Sequence, residues 1–205
     1  MNYLKVNLLF FIVFLLFFNF SIFSVDDNPL VRIITNKGDI IVKLYPEKVP
    51  STCQHFLNLV QHGIYNDTII HRVIDGFIIQ GGGFYSNFKA VPNVSPIKNE
   101  SNRGLQNERG TIGFSQTIDY NSASTQFYIN LSNNSFLNFN IHSQKGFTAF
   151  GKIINGMNVV DKIQKINTEK KRFFSINTEK EETLRDVPII PVKIIRMTIL
   201  KSYTK

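Results

Sequence analysis

The stretch His71-Arg72-Val73-Ile74-Asp75-Gly76-Phe77-Ile78-Ile79-Gln80-Gly81-Gly82-Gly83-Phe84 decides how the chain reads. Two short β-prone runs flank Asp75-Gly76, a pair suited to a tight turn because glycine takes positive φ without a steric cost. In such a hairpin Arg72 and Gln80 lie on neighbouring strands and can face each other, the amide oxygen orienting the guanidinium. Phe77 and Ile78 add apolar surface beside that cation. A fixed arginine next to an apolar slot suits a ligand with a buried hydrocarbon part and a polar group that gains charge. The glycines that follow do not make a phosphate cradle, since neither GxGxxG nor GxxxxGK[ST] is present. They read as a strand exit or a bulge.

Outward from this hairpin the same rhythm continues. Val31–Tyr45 alternates around Asn36-Lys37-Gly38, a second hairpin signal. Further short β-branched or aromatic runs fall at Thr68–Val73, Phe77–Gln80, Thr111–Ser115, Gln126–Asn130, Thr148–Ile153 and Val192–Leu200. Only two helices interrupt them. Cys53, Phe56, Leu57 and Val60 follow helical spacing between Pro50, suited to a first turn, and Gly63, a stop. Gly156–Ile163 reads as a second, shorter helix. Many short strands with few helices predict an antiparallel barrel or sandwich and argue against a doubly wound parallel sheet. Lys165–Asp186 breaks the pattern: it is charged, aperiodic, and holds the echo Ile166–Lys170 and Ile176–Lys180, so it reads as a solvated surface loop anchored by Phe173 and Phe174.

The N-terminus is of another kind. Lys5 precedes an unbroken apolar run from Leu8 to Phe18, the layout of a secretory signal peptide, with Ser24 as the expected cleavage point. Uncleaved, the stretch from Tyr3 to Val25 would serve as an anchor. Residues 1–24 therefore stand apart from a folded domain over 25–205. The expected location is the periplasm, or the inner membrane facing it if the anchor is kept, and membrane contact would come only through that segment.

The 205 residues include 23 Lys and Arg against 15 Asp and Glu, a net charge of +8. The basic residues are scattered rather than clustered, which argues against nucleic-acid binding. One cysteine excludes an internal disulfide and a zinc site of paired cysteines. Cys53 reads as a small buried hydrophobe, and the four histidines show no metal spacing, so no metal or cofactor is expected. Gly113-Phe114-Ser115-Gln116-Thr117 lacks the last glycine and the helix that a nucleophile elbow needs.

With these residues in place, the chain resembles the cyclophilin family of peptidyl-prolyl isomerases, most closely its bacterial exported branch. The central stretch His71–Phe84 is similar to the family signature. Pro96–Glu100, Arg109–Thr111, Ser124–Asn130, Phe136-Leu137, Phe150–Lys152 and Gly156–Asp161 follow in the family order. The resemblance spans about residues 29–165 and 187–200. It implies a mainly β fold, a closed eight-stranded antiparallel barrel capped by two helices. It also implies a monomer that acts on proline-containing polypeptides, such as exported proteins as they fold, without cofactor. Arg72 resembles the catalytic arginine and Gln80 its orienting partner. Phe77, Ile78, Phe127, Tyr128, Phe136, Leu137 and Phe147 resemble the proline pocket and its surround, with Ser115 and Gln126 near the peptide path. Relative to the eukaryotic pattern Ile78 stands for Met, Tyr128 for Phe, Phe136 for Trp, Phe147 for His and Ser115 for Ala. A proline-peptide-binding chaperone of weak catalytic power is the alternative, and Tyr128 is the residue that invites it.

Overall fold

The computed structural model describes residues 28–92, 94–175 and 180–201. The expected signal segment lies outside them, and no helix among the described residues is long and apolar enough to cross a membrane.

Strands β1 (Leu30–Thr35) and β2 (Gly38–Leu44) form the first hairpin, followed by helix α1 (Pro50–Gln61). Then come β3 (Thr68–Ile74), β4 (Ile78–Tyr85), β5 (Thr111–Phe114), β6 (Phe127–Asn130), a 3-10 turn (Ser135–Leu137) and β7 (Ala149–Asn155). Helix α2 (Met157–Gln164), the pair β8 (Thr168–Ser175) and β9 (Lys180–Pro188), and β10 (Val192–Lys201) complete the order. Eight strands close into an antiparallel barrel in the order β1-β10-β3-β4-β6-β5-β7-β2. Closure leaves no barrel edge free to pair with another chain.

Period-2 alternation explains the barrel. Val31 and Ile33 on β1, and Ile40, Val42 and Leu44 on β2, point inward and are buried, while the residues between them are more exposed. One end is filled by α1, which begins with Pro50 in its first turn and buries Thr52, Cys53, Phe56, Leu59 and Val60. Phe56 meets Phe150 at 5.0 Å between ring centroids, and Phe150 stacks on Phe114 at 4.9 Å. Cys53 is fully buried with its Sγ 3.6 Å from the Phe150 carbonyl, and burial pushes the thiol up to about 12, consistent with an inert packing residue. Helix α2 closes the other side through Val159, Val160 and Ile163.

Strands β4, β5 and β6 depart from alternation. Every residue of β5 and β6, and Ile78–Gly83 of β4, is buried. Their inner face packs on the core and their outer face carries a second apolar cluster of Ile78, Tyr128 and Leu137. The three glycines do not end the strand: β4 runs through them to Tyr85, and its register against β3 slips on both sides of Ile70. Gly82 sits at φ 78°, and a Cβ there would crowd Tyr65 and the Thr125 carbonyl. The bulge reading fits and the strand-exit reading does not.

The segment 165–186 corrects its expectation as a loop. Thr168–Ser175 and Lys180–Pro188 pair as a two-stranded antiparallel ribbon outside the barrel. Its outer position and largely exposed side chains agree with a solvated element. Its strand pairing, and its packing against β3, do not agree with a loop.

Candidate active site

Four barrel strands align one row of residues. Register pairs Arg72 of β3 with Gln80 of β4, Gln80 with Tyr128 of β6, and Tyr128 with Gly113 of β5. Directly paired residues on an antiparallel sheet present their side chains to the same face, about 5 Å apart. The hairpin read from the sequence therefore does bring Arg72 opposite Gln80.

The polar contacts differ from the expected ones. Gln80 is buried, and its amide nitrogen donates to the Gln126 Oε1 at 2.8 Å and the Ser115 Oγ at 3.2 Å. The amide nitrogen is thus engaged toward the ends of β5 and β6, which fixes the amide. No hydrogen bond joins Gln80 to Arg72 among the described residues. Arg72 Nε instead donates to Asp186 Oδ2 of β9 at 3.4 Å, with both side chains 40% exposed. Beside it, His71 is buried edge-on to Phe84 with its Nδ1 unpaired. Burial, then the neighbouring Arg72 charge, hold this imidazole down at about 4, so it is neutral at pH 7.

Beyond Gln80 lies the apolar slot. Ile78, Tyr128 and Leu137 form its floor, with Phe77 and Phe147 half-buried against them. Phe136 is exposed and stacks on Phe77 at 5.5 Å, and Phe147 meets the Tyr128 ring edge-on at 6.2 Å. The resemblance placed Phe127 here as well, and the structure corrects this. Neighbouring residues on a strand face opposite ways, so Phe127 points into the barrel, where it packs edge-on to Tyr65.

Tyr128 keeps its hydroxyl out of the slot. The group donates to Asn107 Oδ1 at 2.6 Å, and burial drives its pKa well above the ordinary value. Gly113 makes the room, since a Cβ at that position would run into the hydroxyl. Asn107 belongs to a set of asparagines that holds the slot's walls. Its Oδ1 also accepts from Asn130 and its Nδ2 donates to the Phe147 carbonyl at 3.3 Å. Asn134 donates to the Phe77 carbonyl at 3.0 Å and to Asn130 at 2.7 Å. In the sequence these asparagines look like background, because a polar network between distant loops carries no periodicity.

On the other side of Gln80 an open cavity of about 840 Å³ is lined by Gly83, Ala90, Ser115, Gln116, Thr125 and Gln126, which places Ser115 and Gln126 on a groove wall. The resulting surface is a shallow channel with a cation at one border, an apolar slot at one end and a polar trough at the other. It can hold an extended chain with one ring seated in the slot.

A family model described as cyclophilin type peptidyl-prolyl cis-trans isomerase/CLD matches residues 30–198. The chain is 42% identical over 172 residues to a peptidyl-prolyl cis-trans isomerase of Acinetobacter baylyi, covering 84% of this chain and 86% of that protein. It is 46% identical over 141 residues to peptidyl-prolyl cis-trans isomerase B of Escherichia coli, covering 68% and 86%. Among solved structures, a Cryptosporidium parvum cyclophilin type isomerase, crystallised in the presence of the dipeptide Ala-Pro, superposes with a TM-score of 0.64 at 26% identity. That match covers 84% of this chain and 99% of the other. The barrel, the row from Arg72 to Tyr128 and these matches have one explanation: the chain belongs to the cyclophilin family of peptidyl-prolyl cis-trans isomerases.

Proposed function

We propose that this isomerase accelerates X–Pro rotation in exported polypeptides as they fold, with Arg72 as the catalytic residue and the Ile78–Tyr128–Leu137 slot as the proline seat. Rotation about a peptide bond crosses a barrier of about 18–20 kcal/mol because it breaks amide resonance. At the twisted state the lone pair localises on the prolyl nitrogen. A guanidinium that meets that nitrogen stabilises the twisted state more than either planar one, which is what lowers a barrier. The ring stays in the slot while the preceding carbonyl swings, and the trough of Ser115 and Gln126 holds the chain on that side. No covalent intermediate is formed.

The observation that carries this reading is the row Arg72–Gln80–Tyr128 across three paired strands, which sets a cation one strand beyond the apolar slot. The Ala-Pro dipeptide present with the similar Cryptosporidium protein supports a proline-sized occupant. The weak-binder alternative loses its motive, because the Tyr128 hydroxyl is tied to Asn107 and only the ring faces the slot. Exchange NMR on a short Ala-Pro-Phe peptide tests the proposal. Faster cis–trans exchange with the protein present is expected, and binding without faster exchange would make it a passive module.

The exported setting is part of the same proposal and rests on Lys5 and the Leu8–Phe18 run. The clients would then be chains that fold in the periplasm. Retention of the segment would instead hold the enzyme at the inner membrane with its groove on that side.

A further inference from the structure

We propose that Asp186, on the β8–β9 ribbon, is a positioning residue for Arg72, and that the ribbon's outlying position serves to deliver it. The proposal rests on the catalytic role of Arg72 proposed for this site. Three observations converge. First, Asp186 Oδ2 takes the Nε–H of Arg72. That contact engages one edge of the guanidinium and leaves the two Nη groups free of other bonds among the described residues. With a side chain 40% exposed, Arg72 has no other hydrogen bond or ion pair among the described residues to orient its guanidinium.

Second, the backbone is built to aim this carboxylate. The ribbon pairs Glu169 with Val187 and Lys171 with Leu184, so Arg185 and Asp186 together oppose the single residue Lys170. That is a β-bulge, a device that turns one side chain away from the strand's regular alternation. Asp186 has φ 60°, the left-handed conformation that aspartate tolerates better than most residues. Without the bulge, alternation would point residue 186 elsewhere.

Third, the ribbon is fastened along the length of the catalytic hairpin. Just ahead of the ribbon, Lys165, at the end of α2, reaches Asp75 of the β3–β4 turn at 3.4 Å. Further out, Phe173 packs against Phe84 at 5.7 Å and Phe88 at 5.8 Å, and Phe84 in turn covers His71. After Asp186 the chain re-enters the core at Val187, which is buried. The carboxylate is therefore held from both sides.

The test uses Asp186→Asn and Asp186→Gly in the full chain, because both residues accept a left-handed backbone and remove only the charge or the whole carboxylate. An exposed ion pair supports a loss of roughly two- to five-fold in rate. We expect kcat to fall by that factor with KM and melting temperature nearly unchanged in both variants. In ¹⁵N-labelled protein the Arg72 Nε–Hε resonance should move toward its free-arginine position and exchange faster. An unchanged kcat, a rise in kcat, or an effect confined to KM would overturn the assignment, as would an unmoved Nε–Hε resonance. That resonance reads the pair directly, so an inactive parent would sink the proposed function while still leaving the pairing tested.

Discussion

Replacing His71 should remove a block of acid sensitivity from the fold. The imidazole is 2% exposed, its Nδ1 has no partner, and Arg72 is its neighbour in the chain. Burial first, and the Arg72 charge second, lower its pKa from 6.5 to about 4. Between those two values the unfolded chain binds a proton at this residue and the folded chain does not. Stability therefore falls as pH falls through this window and is fully present above it. At about 1.4 kcal/mol for each pH unit the loss is about 3 kcal/mol by pH 4. For a domain of this size that corresponds to roughly 6–12 °C in melting temperature. Acid also acts on stability through groups other than His71, so the assay compares slopes and not levels. Melting temperature is followed from pH 7.5 to pH 4 for the parent, for His71→Leu, and for His71→Gln as a second neutral replacement. The two variants should lose less on acidification by about that amount. Parallel curves would mean that His71 takes a proton in the folded state near its ordinary pKa, and the burial argument would fail. The histidine ring proton shifts measured by NMR provide the direct check, and they should stay flat until close to pH 4.

The other expectations concern the slot and the N-terminus. Tyr128→Phe should cost about 1 kcal/mol in denaturant unfolding, since Asn107 Oδ1 keeps its bond from Asn130, and should leave isomerase activity within about two-fold. A collapse of activity would place the hydroxyl in the reaction. Cyclosporin-type ligands should bind weakly, because the resemblance implies an indole donor where Phe136 stands and a phenyl ring has none. Phe136→Trp should tighten binding by calorimetry, and tight binding by the parent refutes the argument. Export should yield a chain that starts at Val25, and intact mass of protein made in a Gram-negative host decides it: retention of residues 1–24 contradicts cleavage.

What the sequence made legible follows from where periodicity survives folding. The barrel strands each bury an inward face against one core, which gives β1 and β2 their alternation. Strands β4, β5 and β6 are buried on both faces and read as short apolar runs, and the Asp75-Gly76 turn fixes the pairing of Arg72 with Gln80. The β8–β9 ribbon was hidden because, apart from its buried end at Val187 and Pro188, neither of its faces is a core face. Its residues are mostly charged on both sides, and its strand character comes from pairing and a few contacts such as Phe173 with Phe84. Asp186 was invisible for the same reason, 114 positions from the arginine it meets. Phe127 and Tyr128 are adjacent aromatics, and only the register against Gln80 tells which one faces the slot. The role of Asn107 could not be read either, since its partners are Tyr128 and Asn130 on β6 and Asn138 after the 3-10 turn, all more than 20 positions away.

The most direct test of the account is the rate of Ala-Pro-Phe isomerisation by Arg72→Lys and Arg72→Ala, measured together with peptide affinity and melting temperature. Lysine keeps the charge but loses the planar fork that Asp186 grips, so it should not rescue the arginine. Removal of a positioned donor to developing charge costs about 3–4 kcal/mol in the barrier, a fall of roughly a hundred-fold or more. Affinity and stability should change little, because the aromatic slot supplies the binding and Arg72 is only half-buried. Variants that isomerise as fast as the parent would contradict the claim that this guanidinium carries the catalysis.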